Sequence, residues 1–215
     1  MSDKADFFED FDDDGSRENE VEVLEVVESK SKKIVYFDLE TQKSADDVGG
    51  WDKARDMLMS VGSIYIEPDG VFKSFTEDKV QELIDELFSA DLVIGFNNIG
   101  FDNQVLTHYT DRDFSTIPTI DMARDFTDAR GHRINLDSLA KASLKDVKKS
   151  ANGLLALQWF KEGKIDEITH YCEQDVAVTR DVYKYAEVNK SIKYMDNRSG
   201  MVRETKMDLK IRKEK

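Results

Sequence analysis

No segment constrains the fold more tightly than Ile34-Val35-Tyr36-Phe37-Asp38-Leu39-Glu40, an apolar and aromatic run that ends on two carboxylates. The run has strand composition, and alternate residues of a strand share a face, so Asp38 and Glu40 point the same way as Ile34 and Tyr36. An Asp-x-Glu triplet means little in a chain with 45 acids. Its placement is what matters, because two acids on one side of a strand's C-terminal end suit a cation in an α/β crevice.

The segments that follow predict the rest of an α/β domain. Met57–Ile66 and Val71–Phe75 read as strands joined by the turn Glu67-Pro68-Asp69-Gly70, which starts the sheet antiparallel. Thr76, followed by Glu77, Asp78 and an apolar pattern at Val80, Leu83, Ile84 and Leu87, predicts a capped helix, and Asp91–Phe96 a short buried strand after it. A helix over Ile99–Tyr109, a strand over Ile117–Met122, and helices over Leu136–Leu144, Leu154–Phe160 and Ile165–Val188 complete the body. Ile192–Asp196 and Met201–Leu209, around Asn197-Arg198-Ser199-Gly200, predict a C-terminal hairpin. Residues 1–31 are read as a disordered tail, 32–190 as the domain and 191–215 as an added hairpin and basic tail.

Two further carboxylates interrupt helical stripes. Asp102 shares a face with Ile99, Val105, Leu106 and Tyr109, and Asp175 lies on the seam Ile168, Tyr171, Val178, Val182 and Tyr185. Removing an unpaired carboxylate from water is costly, so each needs a cation or hydrogen-bond donors. Four hard oxygen donors without a His or Cys cluster favour Mg²⁺ or Mn²⁺ over zinc. Two such ions about 3.5–4 Å apart are suited to phosphodiester hydrolysis.

Charge narrows the classes of partner. The formal net charge of −14 excludes a generally basic nucleic-acid coat protein, and the single cysteine, Cys172, excludes an internal disulfide framework and a multi-thiolate zinc site. No apolar run of about 18 residues and no basic-then-apolar start suggest a membrane span or signal, so a cytoplasmic protein is expected. Residues 1–30 hold twelve acids against three bases, with Phe7, Phe8 and Phe11 among them. Such a tail is solubilising or docks a protein partner. The opposite bias occurs at residues 130–149, where Arg130, Arg133, Lys141, Lys145, Lys148 and Lys149 stand against Asp137 and Asp146. This is either an ordinary exposed face or a strip for a phosphate backbone, with Lys145, Lys148 and Lys149 the candidate contacts.

Three segments resemble the motifs of the DEDD superfamily of 3′-to-5′ exonucleases, in order. They are Phe37-Asp38-Leu39-Glu40-Thr41, Gly95-Phe96-Asn97-Asn98-Ile99-Gly100-Phe101-Asp102 and Tyr171-Cys172-Glu173-Gln174-Asp175-Val176. The family includes ribonuclease D and polymerase proofreading domains, and the resemblance covers about residues 33–188. It implies a ribonuclease-H-like α/β fold: a mixed sheet, antiparallel over its first three strands and then parallel, with helices on both faces. It also implies catalysis by Asp38, Glu40, Asp102, Tyr171 and Asp175, with the four carboxylates holding two divalent cations, Mg²⁺ or Mn²⁺. Asp38 would bridge both ions and Tyr171 would orient the attacking water.

The family divides on whether Tyr or a preceding His takes the water role, and this chain carries His170-Tyr171. Helix geometry sets Tyr171 about 40° from Asp175 and His170 about 140° away, which favours Tyr171 and the tyrosine branch. A tyrosine with an ordinary pKa near 10 leaves most activation to the metal, so activity should rise toward alkaline pH. Thr41 and Asn97 would contact substrate, Asn97 being equally suited to capping the next helix. Phe101 would stack on a terminal base or fill the core, Trp51 could be a similar platform, and Trp159 reads as core. The expected substrate is nucleic acid with a free, single-stranded 3′ end. A structure-specific endonuclease and a non-catalytic docking module are the alternatives.

Overall fold

The computed structural model of the protein describes residues 31–144, 153–196 and 199–213. The acidic segment, Lys145, Lys148 and Lys149 lie outside the described residues. The strands are β1 (Ile34–Thr41), β2 (Met59–Glu67), β3 (Val71–Thr76), β4 (Leu92–Gly95) and β5 (Thr119–Asp121), and they form one sheet in the order β3-β2-β1-β4-β5. β1 pairs antiparallel with β2, and β2 with β3, while β4 and β5 join in parallel. This is the mixed sheet the sequence predicts.

Side-chain alternation along β1 sorts the core into two layers. Val35, Phe37 and Leu39 pack with Leu83, Ile84 and Leu87 of α2 (Val80–Phe88) and with Val105 and Leu106 of α3 (Asp102–Leu106). Tyr36 faces the other way, onto Val176, Val182 and Ala186 of α7 (Ile165–Asn189), with Leu139 of α5 (Leu136–Ser143) beside them. Helices therefore cover both faces, and burial of these side chains, roughly 1.5–3 kcal/mol each, holds the layers together. Asp38 and Glu40 share the face of Tyr36, which is the face of α7.

Register opens a crevice at the end of β1. Pairing with β4 stops at Tyr36 opposite Ile94, whereas pairing with β2 continues past Asp38 opposite Ser63 and Glu40 opposite Val61, with a register shift between Glu40 and Thr41. The acids thus extend beyond the end of β4. A two-stranded hairpin, β6 (Ser191–Asp196) and β7 (Met201–Lys206), follows α7 and packs Ile192 and Tyr194 into the α5/α7 layer.

Several elements differ from the sequence reading. The helix expected over Ile99–Tyr109 is only α3, because Gly100 and Phe101 donate their N–H groups to the Asn97 carbonyl in a turn before the helix starts. The hairpin's second strand ends at Lys206 rather than Leu209, since Met207 turns in to the core. A helix unforeseen in the sequence, α4 (Met122–Arg130), runs from an Asp121 N-cap to a left-handed Gly131. It buries only Met122, Asp125 and Phe126, too short an apolar stripe for periodicity to reveal. The segment carrying Trp51 forms α1 (Ala45–Val48), capped by a Ser44–Asp47 capping box, and a 3₁₀ turn over Trp51–Met57.

Candidate active site

Asp38, Glu40 and Asp175 come together where β1 ends against α7, each offering a carboxylate oxygen within 4.8 Å of the others. The two strand acids arrive by alternation, and Asp175 by a helix whose packed face lies over β1. Its buried residues Ile168, Tyr171, Cys172, Val176, Thr179, Val182, Tyr183 and Ala186 take in Ile168, Tyr171 and Val182 of the predicted seam, while Val178 and Tyr185 are half-buried. Asp175 is half-buried at the margin of this face, beside the strand's acids. Asp102, 3 % exposed at the start of α3, reaches the same place from the other side. Its Oδ1 accepts the Leu39 N–H at 3.1 Å, a donor facing the edge that β4 has ceased to cover.

Burial and mutual repulsion govern the site's electrostatics. The Asp38 and Glu40 carboxyls are pushed well above the usual range, first by desolvation and then by the neighbouring acids: Asp102, Asp175 and Glu40 for Asp38, Asp175 and Asp102 for Glu40. Burial raises Asp102 to about 7, against the pull of the Leu39 and its own N–H groups. Clustered carboxylate oxygens whose charges disfavour one another are the donor set a hard divalent cation neutralises. The chemistry of the cluster therefore fits a hard divalent cation.

The other residues singled out in the sequence fall around this cluster. Tyr171 is 8 % exposed, with its ring centroid 6.3 Å from that of Trp159, whereas His170 is exposed and lies 2.8 Å from the Gln174 amide. Trp159 is half-buried against Ile168 and Cys172, more a cover for α7 than deep core. Cys172 is fully buried and donates to the Asp38 carbonyl at 3.3 Å.

A cleft of about 660 Å³ opens in front of Asp38, Glu40 and Asp102, lined also by Thr41, Asn97, Phe101 and Trp51. Phe101 is half-buried and meets Trp51 edge-to-face at 5.8 Å, and Trp51 is 73 % exposed. The Thr41 hydroxyl donates to the Lys43 carbonyl at 2.9 Å. Asn97 is exposed at φ 66°, and α3 begins without a side-chain cap, so the capping alternative for Asn97 is not the arrangement found.

Asp121 is the structural residue that sequence reasoning missed. Fully buried, it accepts the N–H groups of Asn97 (2.9 Å), Ile99 (3.2 Å), Ala123 (3.1 Å) and Arg124 (3.2 Å), and so ties the loop before Asp102 to the start of α4. An acid ending a strand just before a helix is an N-cap signal, and it was there to read. Gly95 has a steric role in the same loop, since a Cβ there would lie 2.5 Å from the Asn98 side chain.

A mixed sheet of this order, with acids gathered at the end of its middle strand and helices on both faces, is a ribonuclease-H-like nuclease fold. The family model RNase_H_2, described as RNase_H superfamily, matches residues 35–187, and the chain belongs to that superfamily. No curated protein matches the sequence. Among solved structures, the family B DNA polymerase from the hyperthermophilic archaeon Pyrobaculum calidifontis is similar in fold, with a TM-score of 0.55 at 14 % identity. The likeness covers 73 % of this chain but only 25 % of the polymerase, so the chain spans about a quarter of that protein's length. RNase H-like nucleases use divalent ions, and Asp38, Glu40 and Asp175 could bind them. No helix among the described residues is long and apolar enough to cross a membrane.

Proposed function

We propose that the protein is a metal-dependent 3′-to-5′ exonuclease of the tyrosine branch of the DEDD superfamily, hydrolysing phosphodiester bonds from a single-stranded 3′ end. The observation that carries this reading is the convergence of Asp38, Glu40 and Asp175 within 4.8 Å beside a cleft walled by Trp51 and Phe101. Asp38, Glu40 and Asp175 would hold one cation, and Asp102 with Asp38 a second. Bound Mg²⁺ or Mn²⁺ supplies an activated water and stabilises charge on the leaving oxygen.

The chain's own groups do the rest. Tyr171 orients the water from the helix turn before Asp175, and Asn97 and Thr41 hold the substrate's sugar and phosphate at the cleft. Phe101 and Trp51 present aromatic faces to the terminal base, a contact worth roughly 1–3 kcal/mol and indifferent to base identity. The similarity in fold to part of a DNA polymerase agrees with a proofreading-like domain. A cytoplasmic location, and a protein partner for the acidic segment at residues 1–30, belong to the same reading.

Product analysis separates the exonuclease from its alternatives. With a 5′-labelled 20-mer, a ladder shortening one nucleotide at a time, abolished by a 3′-phosphate block, is expected. Internal fragments insensitive to the block would mean an endonuclease.

A further inference from the structure

A second cavity, of about 670 Å³, begins where the carboxylate cleft ends. The two share Phe96 and Asn97 in their walls, so they adjoin one another. The second cavity lies between α4 and the loop before α5, where Arg124 and Arg133 line it. Both arginines are exposed, and neither forms an ion pair with another described residue. The one acid in the lining, Asp128, is offset by Arg212 at 3.2 Å and Lys210 at 3.6 Å.

Free guanidinium groups in a groove on a chain of net charge −14 are a local reversal of sign. Their planar donor forks suit phosphate oxygens. We propose that this groove is the track for the substrate strand upstream of the scissile bond, with Arg124 and Arg133 each holding a backbone phosphate and Asn97 marking the passage from track to active cleft. The inference rests on the exonuclease reading for what happens at the cleft, but the track itself is a statement about binding. It places strand recognition on α4 and the loop before α5, on residues that differ from the lysines at 145–149. Each cavity falls within the ~300–1,000 Å³ of sites that enclose a small ligand, so the terminal nucleotide fills the first and its upstream neighbours enter the second. Affinity should therefore rise with length until the track is filled.

The test compares the full chain with the double variant Arg124→Ala/Arg133→Ala on three substrates with Mn²⁺. These are the p-nitrophenyl ester of thymidine 5′-monophosphate, which reaches only the cleft, and thymidine oligonucleotides of two and twelve residues. Anisotropy of a labelled twelve-mer in EDTA, titrated with salt, gives a binding readout that needs no catalysis. The account expects the variant to hydrolyse the ester as the wild type does. Its KM for the twelve-mer should rise about tenfold, erasing the advantage of length, and the slope of log K against log salt should shrink by about 1.4, the loss of two single-strand phosphate contacts.

An unchanged salt slope and an unchanged twelve-mer KM would overturn the track. If the wild type cleaves none of the substrates, the exonuclease reading fails while the salt slope still decides for or against the groove. The single variants Arg124→Lys and Arg133→Lys, which keep the charge, should restore most of the binding.

Discussion

The Cys172 thiol lies directly behind Asp38, donating to its backbone carbonyl at 3.3 Å with Sγ 3.7 Å from its Oδ2. One turn of α7 thereby holds both the backbone and the carboxylate of a strand acid. The thiol's pKa is pushed well up, first by burial and then by Asp38 and Glu40.

A thiol so placed should be chemically silent. One cysteine should react with a thiol reagent in denaturant and none in the native protein, read by absorbance at pH 8. Cys172→Ala should cost about 1 kcal/mol of stability and weaken Mn²⁺ binding a few-fold by loosening Asp38. A native thiol that reacts at the rate of a free one would contradict the packing.

The crowded acids should make metal-free stability fall as pH rises. Their folded-state pKa values are raised, to about 7 for Asp102 and in the same direction for Asp38 and Glu40. The folded state thus keeps protons that the unfolded chain gives up near pH 4, and the advantage is lost as pH climbs through the folded values. Melts in EDTA should show Tm declining between pH 5 and pH 8. Asp38→Asn should raise the pH 8 value by about 3–6 °C, the equivalent of about 1–2 kcal/mol. Saturating Mn²⁺ should raise the wild-type Tm and leave Asp38→Asn little changed.

Trp51 is exposed enough that its removal should not unsettle the fold. Trp51→Ala is expected to keep the wild-type Tm within about 1–2 °C, consistent with a surface substitution. Its affinity for a single-stranded oligonucleotide should fall about tenfold through lost stacking. Binding should quench the fluorescence of Trp51 and spare Trp159, so the variant should lose the quench.

Arg212 ties the C-terminal segment to the sheet. Its side chain meets the buried Asp125 at 2.6 Å and its backbone exchanges hydrogen bonds of 2.9 and 2.8 Å with Thr119. Arg212→Ala leaves the Asp125 carboxyl, already raised by burial, without its cation. A loss of about 2–3 kcal/mol is expected in urea melts, with Arg212→Lys recovering part of it.

The sequence carried the site further than it carried the connecting elements. Strand alternation alone put Asp38 and Glu40 on one face, and helical spacing put Asp175 inward, so the three-acid cluster was legible before any fold was known. The arrival of Asp102 was legible only as a buried acid on a helix, because its contact with Leu39 depends on where β4 stops, a matter of register that no local pattern encodes. α4 escaped notice because its length is set by Asp121 and Gly131 at its ends and by a single inward pair, Met122 and Phe126. The groove past Asn97 is a product of tertiary packing, and Arg124 and Arg133 come to line one cavity only once α4 exists.

The measurement that bears most directly on the central claim is degradation of 5′-labelled single-stranded DNA and RNA, in parallel, with Mg²⁺, Mn²⁺ or EDTA. Wild type and Asp102→Ala are compared under each condition. Stepwise shortening from the 3′ end that requires metal and falls at least a hundredfold in the variant is predicted. Intact strands with either metal, or shortening that persists in Asp102→Ala or in EDTA, would contradict it.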